Sequence, residues 1–564
     1  MTKDAQTEQA RKAEDEMTED ARALLTRILR RPFASSPLRH SQFRIFYFGT
    51  VAAALGYMMQ TTISAWVMTT LTPSALMVAL VQTASTAPSI FVGLFAGTLA
   101  DLVDRRKLII INMLVLSATT LLLGVATLSG FANPALLLFM TVIVGASFTF
   151  YQPAQSASVN ELVSREELPP AIALAAVAFN VARALGPALA GLVAAVVSSG
   201  AALIMSSTFF LVMIFAVRTW KPQPRALPGV PETLMSGVMS GVRYMRHSVA
   251  MRTVIIRSFA FTSCASALWA LLPVIARDQL HMGAGGFGLL FTGFGTGAVI
   301  GALAVPGQIK KKSLNKVVTL GVILWALATV LIAATEYTPL ALLGTACAGM
   351  AWVNVHASLS AGLQSTAPAW VRARAVAIGL ISVQASMAIG SVIWGTLAST
   401  VGTHIALFVS AGVLAVLQIF NRNVRVRMGT EADVTPHTQL PTLTIADEPE
   451  PADGPVLIQI EYRVEAEHRA DFLKLIQRLE PMRRRNGATS WRVFRDLAEE
   501  GRFVERYILA SWGEYVRLRN RMTMTDRKHL EDVERHQKEG VPIRVSRLIG
   551  VTARDVMEAE AMHV

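Results

Sequence analysis

An all-α polytopic membrane protein is the fold class the sequence predicts: twelve transmembrane helices in two six-helix halves, followed by a small α+β ferredoxin-like C-terminal domain. Three observations predict it. The 564 residues are 52% hydrophobic and only 16% charged, with a mean hydropathy of +0.45. Soluble domains carry about 25% charged residues, so a soluble chain of this composition could not cover its own surface. The apolar residues gather into twelve stretches, near 43–68, 75–100, 108–128, 135–158, 171–197, 201–217, 253–276, 287–306, 317–335, 339–362, 373–398 and 404–421. Each is about as long as a helix that crosses the roughly 30 Å core of a bilayer. Finally, the chain repeats itself at an offset of 204. Gly97-Thr-Leu-Ala100 matches Gly301-Ala-Leu-Ala304, Gly93 matches Gly297, Gly186 and Gly191 match Gly390 and Gly395, Asn180 matches Gln384, and Arg106-Lys107 match Lys310-Lys311. One offset serving three separate regions points to two parallel six-helix halves.

Charge sets the expected topology. The net charge is +13; residues 43–428, the most apolar part, carry +15, and the rest of the chain carries −2. The basic residues fall in alternate connections: Arg105-Arg106-Lys107, Arg218/Lys221/Arg225, Arg243/Arg246/Arg252, Lys310-Lys311-Lys312/Lys316 and Arg372/Arg374. By the positive-inside rule these face the cytoplasm, as do both termini. The excess is thus a topological signal, and no nucleic-acid partner is expected. Two cysteines, Cys264 and Cys347, exclude a disulfide scaffold. The charged first 40 or so residues show no signal peptide, and no Walker A pattern suggests an ATP-driven pump. The expected division is a cytoplasmic N-terminal tail at 1–42, a first half at 43–217, a central loop at 218–252, a second half at 253–421, a disordered linker at 422–454, a soluble domain at 455–550 and a tail at 551–564. Within the central loop, 232–247 reads as an amphipathic helix lying on the membrane surface.

Local motifs narrow the class. Gly97-Thr-Leu-Ala-Asp101-Leu-Val-Asp104-Arg105-Arg106-Lys107 resembles the loop between helices 2 and 3 of the major facilitator superfamily, with Leu102 and Asp104 replacing a basic residue and a glycine of its pattern. Pro153-Ala-Gln155, Asn160-Glu-Leu-Val163, Arg165-Glu-Glu-Leu168, Asn180-Val-Ala-Arg183-Ala-Leu-Gly186-Pro187-Ala-Leu-Ala-Gly191 and Gln384 through Gly395 resemble the branch of transmembrane secretion effectors that contains the enterobactin exporter and related drug-efflux proteins. The resemblance implies a secondary-active transporter that exports a siderophore or drug-like amphipathic molecule across the bacterial cytoplasmic membrane, by alternating access and proton antiport. An importer with the same fold, or a transporter fused to a cofactor-free oxygenase-like domain, is the alternative. The implied partners are a small-molecule substrate and the lipid bilayer. Neither catalytic residues, cofactor nor metal is expected.

Site residues follow in three groups. The loop motif places Gly97, Asp101, Arg105 and Arg106 at the cytoplasmic mouth, where the resemblance implies a gating contact between Asp101 and the arginines; topogenic charge with a capping carboxylate is the plainer reading. Val305 occupies the position matching Asp101, so the second half cannot repeat that contact. In helix 5, Asn180, Arg183, Gly186, Pro187 and Gly191 form the second group. A central arginine costs at least about 2.5–3.5 kcal/mol in a bilayer, so Arg183 should meet water or a partner. The Gly-Pro-Gly pattern suits a tight, one-sided kinked crossing, since Ser391 replaces Pro187 in the repeat. The third group comprises polar and aromatic candidates for a cavity lining: Tyr57, Gln60, Trp66, Gln82, Gln152, Trp269, Asn354, His356, Gln384 and Trp394. Each of these suits an interhelical hydrogen bond equally well. Glu161 with Arg165-Glu-Glu167 reads as a solvated cluster, Arg257 has no obvious acidic partner, and no proton-coupling carboxylate is visible inside the spans.

Beyond the linker, strands at 456–462, 489–495, 503–510 and 543–548 alternate with helices at 466–485 and 512–537, a βαββαβ order. Arg483-Arg-Arg-Asn-Gly-Ala488 and Trp491 resemble the tail of some of these exporters, itself similar to the dimeric α+β barrel of antibiotic-biosynthesis monooxygenases. Tyr515 and Arg519 stand where such domains often carry histidines, which argues against catalysis. His468, His529 and His536 lack ligand spacing, and the triplet 483–485 reads as a solvated helix end. A homodimer through this domain, or regulation, is its expected role.

Overall fold

The computed structural model describes residues 36–164, 166–220, 234–437 and 449–551. The N-terminal tail before Ser36, Arg165, Lys221, Arg225 and the start of the expected surface helix lie outside them. The membrane part runs α1 (Ser41–Leu71), α2 (Ala75–Thr86), α3 (Pro88–Leu102), α4 (Arg105–Leu128), α5 (Pro134–Leu162), α6 (Leu168–Val196), α7 (Ser199–Arg218), α8 (Leu234–His247), α9 (Val249–Val274), α10 (Ala284–Lys311), α11 (Leu314–Ala334), α12 (Thr338–Thr366), α13 (Ala369–Val401) and α14 (Thr403–Phe420). Helices α2 and α3 form one span interrupted at Ala87, because Pro88 has no N–H to continue the ladder. Short polar side chains open several helices: Asp104 accepts from the Arg106 N–H at 2.9 Å, Asn133 from Leu136 at 3.0 Å and Ser198 from Ala201 at 3.1 Å.

Eleven helices among the described residues are long and apolar enough to cross a membrane. The expectation was twelve. The shortfall is α1, whose 31 residues are diluted by Thr50, Gln60, Thr61, Thr62, Ser64, Thr69 and Thr70. It packs along α6 and α7 and buries most of these groups. Their hydroxyls turn back to carbonyls of the same helix, as Thr50 does to Phe46 at 3.0 Å.

The chain gathers into two compact units that do not follow the halves of the sequence. The first holds α1, α4 to α7 and Met282–Gly295 at the start of α10. The second holds Thr72–Leu94, α8, α9, the rest of α10, α11 to α14 and the soluble domain.

The 204-residue offset is present in the packing of each unit. A Cβ on Gly186 would lie 2.6 Å from the Met58 Cβ and 3.5 Å from the Met59 nitrogen of α1. Gly390, its counterpart, abuts Ser263 and Ser266 of α9, and Ser263 is the counterpart of Met59. Gly191 meets Ala284 and Gly288 of α10, while Gly395 meets Leu76 and Ala79 of α2. Small residues therefore bring backbones together at equivalent crossings.

The soluble domain carries an antiparallel sheet of order β2-β3-β1-β4, from β1 (Val456–Arg463), β2 (Ser490–Arg495), β3 (Arg502–Leu509) and β4 (Arg544–Ile549). Val456, Ile458, Ile460 and Tyr462 alternate inward along β1. They pack on Phe472, Ile476, Leu479, Met482, Leu518 and Leu530 from the helices covering that face. Each of the two long helices expected here is broken in two. The first divides into α15 (Arg469–Ile476) and α16 (Leu479–Arg485), because Pro481 cannot donate to Gln477. The second divides into α17 (Trp512–Arg521) and α18 (Met524–Glu534), where Thr523 forms a capping box with Asp526.

Part of the linker is also structured, against the expectation of disorder. Gly429 donates to Ser365 Oγ at 3.1 Å, Thr430 caps a short turn with Asp433, and Pro436 bridges to Thr523. Burial favours a higher pKa for Asp433, but hydrogen bonds from Thr430 and Thr525 and the charge of Arg485 hold it below the ordinary carboxylate value. Residues 438–448 lie outside the described chain.

Candidate transport site

Each unit presents an aromatic cluster at positions related by the 204-residue offset. In the first, Tyr57 of α1 stacks on Phe148 of α5 with centroids 3.7 Å apart and planes 8° from parallel; Tyr151 and Phe179 flank Phe148 at 5.7 and 6.5 Å. In the second, Phe261 of α9 stands 5.9 Å from Trp352 of α12, and His356, one turn on, lies 4.2 Å from the same indole. Trp269 and Trp325 complete the cluster, at 5.4 and 5.7 Å from Trp352. Phe261 and Trp352 are the 204-offset counterparts of Tyr57 and Phe148, and His356 is the counterpart of Gln152. Phe148, Phe261, Trp325 and Trp352 were not among the residues the sequence singled out. The repeat could have found two of these, since it superposes Tyr57 on Phe261 and Phe148 on Trp352.

The remaining cavity candidates divide. Trp66 stacks on Phe287 at 5.7 Å within the first unit. Gln152 is exposed, and Gln82 and Gln384 are half-buried. Three are packing residues. Gln60 is fully buried and donates to Ser64 at 3.0 Å. Asn354 faces Gly321 of α11, where a Cβ would lie 3.5 Å from its own. Trp394 donates its indole N–H to the Ser263 carbonyl at 2.7 Å, tying α13 to α9.

In the helix 5 motif, Asn180 donates to the Ala176 carbonyl at 3.0 Å, and Arg183 is half-buried near the midpoint of α6. Gly186, Pro187 and Gly191 are buried crossings. In the loop motif, no described residue lies within 4 Å of a Cβ built on Gly97, and the side chain of Asp101 lies outside the described residues. Arg106 donates to the Arg218 carbonyl at 2.8 Å, closing the end of α7. Arg105 is buried; it pairs with Glu161 at 2.5 Å and donates to the carbonyls of Ala100 and Ala157. Glu161 is therefore a half-buried ion-pair partner and not a solvated acid. Glu161→Gln should lower the melting temperature in detergent through a loss on the order of 1 kcal/mol, because the charge-assisted contact between Glu161 and Arg105 becomes a neutral one. An unchanged melting temperature would refute this.

Glu167 holds Arg39 and His40, each at 2.9 Å. Among the described residues Arg257 pairs with no acid; it caps α14, donating to the Asn421 carbonyl at 2.8 Å. The arginine triplet of the soluble domain is not a solvated helix end either: Arg483 pairs with Glu505, Arg484 with Glu480 and Arg485 with Asp526. Tyr515 is buried and accepts from Arg547 at 2.7 Å, while His468 and His536 approach to 5.9 Å between rings.

Comparison with known proteins decides the family. A model described as transmembrane secretion effector matches residues 32–555, membrane part and soluble domain together. The chain belongs to the transmembrane secretion effector family. A multidrug efflux pump, Tap of Mycolicibacterium fortuitum, is 23% identical to this secretion effector over 394 residues, covering 68% of this chain and 96% of the pump. The staphyloferrin A transporter of Staphylococcus aureus is 22% identical over 248 residues, 43% of this chain and 62% of the transporter. Among solved structures, a bacterial homologue of the human lysosomal transporter Spinster, inward-facing and unoccupied, shares the fold at a TM-score of 0.56 and 13% identity, covering 68% of this chain and 96% of that one. The nucleoside transporter NupG does so at 0.55 and 14%, covering 68% and 98%. The secretion effector is thus a multi-span membrane transporter of the major facilitator superfamily, in a family of transporters and not of enzymes.

Proposed function

We propose that this secretion effector exports a small amphipathic molecule, a siderophore or drug-like compound, across a bacterial cytoplasmic membrane by alternating access with proton antiport. The observation that carries the substrate class is the repeated aromatic cluster, Tyr57/Phe148 and Phe261/Trp352 with His356. Such groups offer apolar stacking area with few polar contacts, which suits planar amphipathic ligands. The acidic residues of 43–428 are Asp101, Asp104, Glu161, Glu166, Glu167, Glu232, Asp278 and Glu336, all at the ends of spans or between them. Recognition by a carboxylate deep in the membrane therefore has no support. The named roles of Tap and of the staphyloferrin A transporter point the same way. The basic connections favour cytoplasmic termini. The outward sheet face, with Phe494, Ile508 and Leu548 exposed, supports homodimerisation through the soluble domain, a state that light scattering of the full chain would read.

Everted vesicles loaded by a proton gradient test the reading, with a planar aromatic dye and a siderophore as probes. Gradient-dependent accumulation supports export; accumulation only in right-side-out vesicles rejects it. In the same assay Asp101→Asn should insert normally but transport about tenfold more slowly, the effect of losing about 1.4 kcal/mol from one state alone. Full transport by that variant would remove Asp101 from the gating role.

A further inference from the structure

Within the second unit, the soluble domain meets the membrane helices at two places. The first grip is the tether: Gly429 and Val426 lie against Ser365 and Gly362 at the end of α12, and Pro436 and His437 pair with Thr523 and Met522 at the corner between α17 and α18. The second grip is α8, the helix that ends the connection between the halves. One side of α8 sits on α13. Arg374 donates to Ser240 Oγ at 2.9 Å, and a Cβ on Gly241 would lie 3.1 Å from the Arg374 Cβ. Its other contacts reach the soluble domain. Arg243 pairs with Glu514 at 3.5 Å, and the Arg485 guanidinium lies 5.7 Å over the ring of Tyr244. Tyr244 stands edge-on to Trp370 of α13 at 5.3 Å, and Arg521 lies 4.1 Å over that indole. Arg521 also pairs with Glu514 at 3.5 Å, and Asp526 pairs with Arg485. The buried side of α8 is therefore covered by protein, where the sequence alone suggested a helix resting on lipid.

The soluble domain and its tether thus touch the ends of α12 and α13 and the helix joining the halves. Contacts that span three helix ends hold only while those ends keep one arrangement, and contacts made in one state alone shift the population towards it. We propose that the soluble domain is a conformational clasp: it binds α8 and the first turn of α13 together, stabilises the arrangement described here, and must loosen for the transporter to change state. This rests on the reading of the chain as an alternating-access transporter.

The test uses the full chain in lipid nanodiscs and needs no transported substrate. Hydrogen exchange is followed in wild type, in Tyr244→Ala and in Glu514→Gln, which removes the shared partner of Arg243 and Arg521. The expected result is exchange at least about fivefold faster in α8, a scale set by losing a charge pair or a cation–π contact. The ends of α12 and α13 should accelerate with it, while β1 and β3 remain protected. Faster exchange confined to α8 makes the docking a passive attachment and overturns the clasp. So does unchanged exchange in both variants. Failure of transport in vesicles with the coupled exchange intact would instead reject the export reading and leave the clasp standing.

Discussion

Glu505→Gln is expected to unfold the soluble domain or bring it to the edge of unfolding. Glu505 is fully buried on β3 and has every acceptor site engaged. Arg483 donates to it through Nε at 2.9 Å and Nη2 at 3.3 Å, Trp491 through Nε1 at 2.9 Å and Tyr462 through its hydroxyl at 3.2 Å. The Arg483 guanidinium also lies 4.7 Å over the Tyr507 ring. Burial works to lower the pKa of Arg483, but the charge of Glu505 holds it above the ordinary guanidinium value. The same burial pushes the Tyr507 phenol up to about 12. Glutamine keeps the shape and removes the charge, leaving a buried arginine without a counter-ion and a side-chain N–H₂ facing donors. Breaking such a pair costs about 3–5 kcal/mol, against a total stability of about 5–15 kcal/mol for a domain. Loss of hydrogen-exchange protection across β1 and β3 is the measurement. A paired Arg483→Met, Glu505→Leu variant should recover only part of the loss, because no charge is then stranded but the Trp491 N–H and Tyr462 hydroxyl lose their acceptor. Protection unchanged in Glu505→Gln would show that the network contributes little.

Gly288→Val should abolish most transport while leaving insertion intact. At this crossing α6 and α10 touch through backbone. A Cβ on Gly288 would lie 2.7 Å from the Pro187 carbonyl oxygen and 2.9 Å from the Gly191 Cα, and one on Gly191 would lie 2.8 Å from the Ala284 oxygen. Neither neighbour is the end of a flexible side chain, so the helices must part. Overpacking of this kind costs about 1–3 kcal/mol, and a barrier raised by about 1.4 kcal/mol already slows a step tenfold. Gly412→Ala, in α14, is the matched control, since nothing among the described residues lies within 4 Å of a Cβ there. Vesicle uptake normalised to protein in the membrane separates the two variants. Wild-type uptake by Gly288→Val would show that the crossing tolerates separation during transport.

Much of this molecule was legible because its signals are periodic. Span lengths, basic loops and the 204-residue offset repeat along the chain, and the offset reappears in the packing of Gly186 on Met59 and of Gly390 on Ser263. Strand positions in the soluble domain were legible for the same reason, from alternation along Val456–Arg463. The misreadings are pairings between residues distant in sequence. Glu161 looked solvated because its partner, Arg105, is 56 positions away. The arginines 483–485 looked like a solvated cluster because their carboxylates include Glu505 and Asp526, on other elements. Trp394 and Asn354 looked like cavity groups because a sequence does not say which way a helix is turned. The amphipathic pattern of α8 was read correctly, but the identity of what covers it was not.

The division into units carries a consequence for biosynthesis. The first unit is completed by Met282–Gly295, and the second takes in Thr72–Leu94. The ribosome therefore finishes the first half of the chain before it has made the segment on which Gly191 closes. Residues 72–94, made early, wait for partners that lie some 300 positions downstream, as Thr83 waits for the Ala388 carbonyl. A gene cut between the halves would thus encode two incomplete pieces, which could become a transporter only when made together.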